Sequence, residues 1–187
     1  MLEQPLAGKK IAILIGNGFE ELHMTDSHRA LVAAGAKVHL VGLKQGVVNG
    51  WHGNTWGHYF QVDTEIGSIL AADFDMLVLP GGKRSVDKLR ETAHTRRVIT
   101  GFMDGRKPVA ALGHGIELLA LADRVRGRTL TGAPDSKEAA AAAGAKWSDE
   151  ALVNDGNLLT AAGDDMPNVI EAMLDLFIAT TKVQKAA

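Results

Sequence analysis

The strongest chemical signal in the chain is the segment Ala110-Ala111-Leu112-Gly113-His114-Gly115. It reads as a buried strand, a tight turn and a helix start, the local plan of a nucleophile elbow. In such an elbow the central residue is held in a strained backbone conformation with its side chain aimed into a crevice. The helix start behind it lowers a thiol's pKa and offers backbone N–H groups to an oxyanion. Here the central residue is Gly113, which has no atom that can attack a substrate, so covalent catalysis at this position is ruled out. The chain has no cysteine anywhere, which also removes disulfides and thiolate metal sites. Three strand ends, 16–23, 80–87 and 113–117, are expected at one edge. That sets Glu20 and His114 there as a carboxylate and an imidazole able to do general acid–base work without a nucleophile. With Gly82, Gly113 and Gly115 they form the expected ligand site, suited to a small anion, a carbonyl compound or water.

These residues need strands to carry them to one edge. Ile11-Ala12-Ile13-Leu14-Ile15, Asp75-Met76-Leu77-Val78-Leu79-Pro80 and Pro108-Val109-Ala110-Ala111-Leu112 hold short apolar runs, each followed by glycine-containing turns. Such runs are typical of strands buried on both faces of a parallel sheet. A further strand is expected over 37–43, after a helix carrying Leu22, Thr25, Ala30, Leu31 and Ala34 and capped by Gly35. One helix is expected over 86–104 and another over 116–121. A strand at 128–131, an alanine-rich helix at 136–143 and strands or a hairpin over 147–161 follow. Asp164-Asp165-Met166-Pro167 opens a last helix reaching about residue 180.

The alternation predicts a flavodoxin-like α/β fold: a doubly wound, mostly parallel sheet with helices on both faces in a three-layer sandwich. It is expected to form a single domain over 1–187, with its core at about 9–178. The crevice of such a sheet lies beyond the carboxyl ends of its strands. Residues 45–60 differ in character and are read as an irregular excursion with a small antiparallel piece and an Asn49-Gly50 turn. A dinucleotide reading of Gly16-Asn17-Gly18 fails, because the third glycine and the distal acidic residue are missing.

Bulk properties narrow the function. The 187 residues are 46% hydrophobic and 22% charged with a net charge of −2, as expected for a globular chain. No run of like charge points to nucleic acid or a membrane surface. There is no signal-peptide pattern and no membrane-length apolar run, so a cytoplasmic protein is expected.

The chain resembles the PfpI/ThiJ superfamily of class I glutamine amidotransferase-like proteins. This group includes PfpI-type intracellular proteases, the parkinsonism-associated deglycase and glyoxalase-like relatives. The resemblance is carried by Gly18-Phe19-Glu20-Glu21, by Leu79-Pro80-Gly81-Gly82 with Asp87-Lys88-Leu89-Arg90, and by Lys107-Pro108-Val109-Ala110 into the elbow. Val125-Arg126-Gly127-Arg128-Thr129, Gly144-Ala145-Lys146-Trp147 and Asp155-Gly156-Asn157-Leu158 add to it. In the family the elbow reads alanine-x-cysteine-histidine-glycine, which places Gly113 at the cysteine and His114 at the histidine. The resemblance implies that an acidic residue approaches the elbow from the loop of Glu20, leaving Glu20, Glu21 and His23 open for the nearest position. It also implies that Asp87 matches an acidic residue contributed across a subunit contact, although an extra residue in Lys83-Arg84-Ser85-Val86 loosens that match.

Plainer roles exist for each of these groups. His114 could be a core histidine, Glu20 and Glu21 dipole-favoured carboxylates, and Asp87 a solvated helix residue. His52 and His58, flanked by Trp51 and Trp56, fit a subunit contact better than a metal cage, and no metal or cofactor is expected. The expected function is a non-catalytic, binding or stress-related homodimer or higher homo-oligomer with a small-molecule ligand at the elbow. The alternative is an enzyme using Glu20 and His114 on a small carbonyl or amide substrate. A third reading is an unrelated flavodoxin-like binding protein carrying a flavin.

Overall fold

The computed structural model describes residues 3–187. In chain order the first half holds β1 (Lys10–Leu14), β2 (Phe19–Glu20), α1 (Glu21–Ala33), β3 (Lys37–Gly42), β4 (Gly46–His52), β5 (Thr55–Val62), β6 (Thr64–Glu65) and β7 (Met76–Leu79). Then come α2 (Lys83–Leu89), α3 (Ala93–Asp104), β8 (Val109–Leu112), α4 (Ile116–Leu121) and β9 (Thr129–Leu130). The chain closes with α5 (Lys137–Ala142), β10 (Lys146–Trp147), β11 (Leu152–Asp155), β12 (Leu158–Ala161) and α6 (Met166–Ala186).

The apolar runs form one seven-stranded sheet in the order β11-β12-β8-β7-β1-β3-β6. Every neighbouring pair is parallel except β11 with β12. Alternate residues of β1 serve opposite faces, as the strand period requires. Ile11 and Ile13 pack with Met24 and Leu31 of α1 and with Met173 and Phe177 of α6. Ala12 and Leu14 face the other layer, where Val86, Val98, Phe102 and Leu119 from α2, α3 and α4 close the core. This is the expected doubly wound three-layer arrangement, and its direction of winding changes at β1, between β3 and β7. The crevice at such a reversal is where open α/β sheets place their sites.

Four local readings change. The 86–104 helix is two helices, because Thr92 turns out of α2 and caps α3, its hydroxyl accepting from the His94 N–H at 3.3 Å. The 45–60 excursion is the β4–β5 hairpin, but Asn49 and Gly50 lie inside β4 at a register shift, and Gly53 (φ +61°) makes the turn. The last helix runs on to Ala186 instead of fraying near 180. In α1 the buried face includes Glu21, His23 and Ser27, whereas Leu22 is 45% exposed. The helix is rotated so that its first turn gives polar groups, rather than the expected apolar stripe, to the ends of the strands.

Candidate functional site

Beyond the carboxyl ends of β7, β8 and β12 lies a cleft of about 660 Å³. Glu20, Gly82, Gly113 and His114 line it, as do His23, His52 and Asp164. The site expected from sequence is thus largely assembled by the fold, with two exceptions. Gly115 is buried and does not line the cleft; a Cβ there would come within 2.5 Å of the Leu79 carbonyl oxygen. Asp87 lies on α2, half exposed, in ion-pair range of Lys83 at 3.2 Å and of Arg90 at 3.8 Å, and does not line the cleft.

Gly113 directly follows β8 and has φ +54°, the left-handed conformation expected of an elbow. Gly82, at φ +102°, lets the β7 end approach the Gly18–Glu20 backbone, and the Glu20 N–H donates to the Gly81 carbonyl at 2.9 Å.

The first turn of α1 settles which of three residues reaches the elbow. Glu21 turns away under the hairpin, where its carboxylate accepts from the His58 backbone N–H at 2.9 Å and pairs with the His58 ring. Burial alone would raise the Glu21 pKa, but the hydrogen bonds and charge of His58 outweigh it and hold the carboxyl below its usual value. Glu20 faces the open cleft. Burial raises its pKa, with Asp164 and Glu21 adding to the effect and His52 and His114 opposing it.

His23 is the residue against the elbow. Its ring accepts a hydrogen bond at Nδ1 from the Gly81 N–H, 3.0 Å away, and Nε2 stands 3.2 Å from the Gly163 carbonyl. A backbone donor on one side and an acceptor on the other fix the neutral tautomer with its proton on Nε2. Burial, opposed by the Gly163 hydrogen bond and by Asp164, lowers the His23 pKa to about 4.

His114 has a partner that sequence reading missed. Its Nε2 is buried and lies 2.7 Å from Asp135 Oδ1, off the direction of a well-aligned hydrogen bond. This contact holds the Asp135 carboxyl below its usual pKa. Asp164 was also missed as a cleft residue: Asp165 caps α6 by accepting from the Asn168 N–H, while Asp164 faces the cleft. The paired aspartates marked the helix start but not this division of labour. No local signal marked Asp135, which reaches His114 from the turn before α5.

The tip of the hairpin, through His52 and Gly53, forms part of the cleft wall. Trp51 and Trp56 meet edge to face at 5.4 Å, and the Arg84 guanidinium lies 4.1 Å from the Trp51 ring centre. This stack ties the hairpin to α2. His52 turns into the cleft while His58 pairs with Glu21, so the two histidines serve different neighbours. The titratable lining comprises Glu20, Asp26 and Asp164 with His23, His52 and His114, and includes neither lysine nor arginine. That balance disfavours a free anion and suits a neutral carbonyl compound or a cation.

A parallel α/β sheet with an elbow at its carboxyl edge is a scaffold shared by several groups of proteins. The DJ-1/PfpI family model matches residues 9–176, and the chain belongs to that family. A deglycase of Thermococcus kodakarensis is 33% identical over 155 residues, covering 81% of this chain and 89% of its own length. A deglycase of Pyrococcus horikoshii is 30% identical over 152 residues, with coverage of 81% and 89%. Among solved structures, a two-domain protein from Anabaena variabilis with DJ-1/ThiJ/PfpI-like and ferritin-like domains superimposes with a TM-score of 0.83 at 34% identity. That match covers 89% of this chain and 47% of the two-domain chain.

Proposed function

We propose that this chain is a non-catalytic member of the family that binds a small neutral or cationic molecule in the elbow cleft. The observation that carries the reading is Gly113 at the apex of the elbow in a chain without cysteine. The framework of an active site is kept while the nucleophile is absent, which fits a fold retained for binding or assembly. The test is consumption of glyoxal and methylglyoxal, together with peptide hydrolysis, by the purified protein. No turnover is expected. Turnover abolished by Glu20→Ala or His114→Ala would overturn the reading.

That same outcome would establish the second reading, acid–base catalysis on a small carbonyl or amide. It is favoured by one feature: Glu20, with its raised pKa, shares the cleft with His114, whose imidazole lies against Asp135. A bell-shaped pH–rate profile is its kinetic signature.

We further propose a homodimer or higher homo-oligomer. Trp56, Tyr59 and Val47 on the hairpin and Leu22 and Val32 on α1 are large apolar side chains left exposed, a composition that suits an interface core. Sedimentation of the wild type beside Tyr59→Asp tests this: dissociation of an assembly by the variant is expected, and a monomeric wild type overturns it. The proposed compartment is the cytoplasm. Among the described residues, no helix is long and apolar enough to cross a membrane. A stress-related role is also proposed; its test is survival of a deletion strain under carbonyl or heat stress, with unchanged survival counting against it.

A further inference from the structure

We propose that the His23 imidazole is a built-in occupant of the elbow pocket, seated where a small ligand would otherwise sit. Three adjacent strands, β12, β8 and β7, are each followed within two residues by a glycine: Gly163, Gly113 and Gly81. These glycines meet one edge of the ring in turn. A Cβ at Gly81 would stand 2.9 Å from Nδ1, one at Gly113 would stand 3.3 Å from Cε1, and one at Gly163 would overlap Nε2. The bed is therefore shaped to a five-membered ring, and a side chain at any of the three positions would intrude on it.

The polar groups of the bed match the ring as closely as its shape does. Gly81 supplies one N–H and Gly163 one C=O, and both are taken by the imidazole. The ring is only 6% exposed, with Asp164, Asp26 and His114 as the charged or titratable groups around it. His23 therefore withholds the Gly81 N–H from any ligand oxygen and sets the floor of the cleft above. With the side chain removed, the bed should accept a neutral azole whose acceptor nitrogen and N–H are separated by one ring carbon. The bed lies at the floor of the cleft, and its occupation by His23 does not depend on what binds in the cleft itself.

The test compares the wild type with His23→Ala in thermal unfolding at about pH 8, where free imidazole is mostly neutral. Imidazole and pyrrole serve as probes; pyrrole has the N–H but no ring acceptor for Gly81. The expected result is a lowered Tm for His23→Ala that imidazole raises in a saturable manner. Pyrrole should raise it much less, and neither probe should move the wild type. Equal shifts in both proteins, or no recovery of a folded His23→Ala, would overturn the proposal. Should the alanine variant fail to fold, nitrogen NMR of the wild-type ring decides. A single Nε2–H tautomer unchanged from about pH 7.5 to about pH 5.5 supports the proposal, and a ring titrating like free histidine overturns it.

Discussion

His23 lies so close to Gly113 that a Cβ at position 113 would stand 3.3 Å from Cε1 of the imidazole. Glycine at the elbow and histidine on α1 therefore make one arrangement: the missing side chain leaves room for the ring, and the ring fills that room. A thiol restored at position 113 would not simply recreate a nucleophile.

Gly113→Cys should consequently be destabilising and nearly unreactive. A side chain at φ +54° costs about 1–3 kcal/mol, and crowding against the ring adds to that cost. A fall in Tm of several degrees is expected. The thiol should alkylate slowly with iodoacetamide in the single variant and faster when His23→Ala is added. Rapid alkylation of the single variant, with glyoxal turnover, would show that the ring yields easily and does not block the elbow.

The same ring makes stability depend on pH. Burial lowers the pKa of folded His23 to about 4, whereas an unfolded histidine titrates near 6.5. The unfolded chain therefore takes up the proton first as pH falls. The His23 contribution is intact above about pH 6.5, declines between there and about pH 4, and levels off below, for a total loss of order 3 kcal/mol. Nearby Asp164 and Asp26 moderate the effect and His114 deepens it. Denaturant unfolding at pH 7.5 and pH 5 should show the loss in the wild type and little of it in His23→Gln. Equal losses in the two proteins would assign the effect to other groups.

The sheet and the elbow were legible in the sequence because both are local. A short apolar run ending in glycine needs no tertiary information to suggest a buried parallel strand, and Gly113-His114-Gly115 followed directly on one. Glu20, Gly82, Gly113 and His114 could be brought to one cleft on that basis. The roles of Glu20, Glu21 and His23 could not be separated, since they depend on the phase of α1 relative to its neighbours. The hairpin draws Glu21 to one side and the three glycines receive His23 on the other. Asn49-Gly50 misled for a related reason: its turn chemistry is real, but pairing with β5 keeps the pair inside a strand. Asp135 was not visible at all, because nothing in its own segment indicates which imidazole it will meet.

Glu117 provides a prediction about the frame of the elbow. Its carboxylate is 7% exposed and accepts from Lys83 Nζ at 2.8 Å, an Arg90 guanidinium nitrogen at 2.7 Å and the Ser136 hydroxyl at 2.7 Å. It thereby joins α2, α4 and the turn that carries Asp135. Glu117→Gln keeps the shape but removes the charge that the two cations share. Both cations are partly exposed and can turn to water, so the expected loss is about 1–3 kcal/mol, below that of a fully buried pair. Calorimetry should show Glu117→Gln less stable than Ser136→Ala. An unchanged Tm for Glu117→Gln would reduce the cluster to a surface ion pair of little consequence.

Glu21 makes the last prediction, because it holds the hairpin whose tip forms part of the cleft wall. Its carboxylate bonds the His58 backbone N–H and ring, and Gly50 and Gly57 close over it so tightly that a Cβ on either would collide with it. Glu21→Ala takes the acceptor from the partly buried His58 N–H and opens space under the strand pair. A loss of about 1–3 kcal/mol is expected. The damage should be local: amide hydrogen exchange should quicken along Thr55–Val62 while β8 and β12 stay protected. Because His58 holds the folded carboxyl below its usual pKa, this stabilisation is present above the ordinary carboxylate range and is lost as pH falls from there through the lowered folded value. Uniformly faster exchange across the molecule would mean that Glu21 supports the whole fold, not the hairpin in particular. Exchange confined to β5, accompanied by weaker ligand binding in the cleft, would tie the Glu21–His58 pair to the placement of His52.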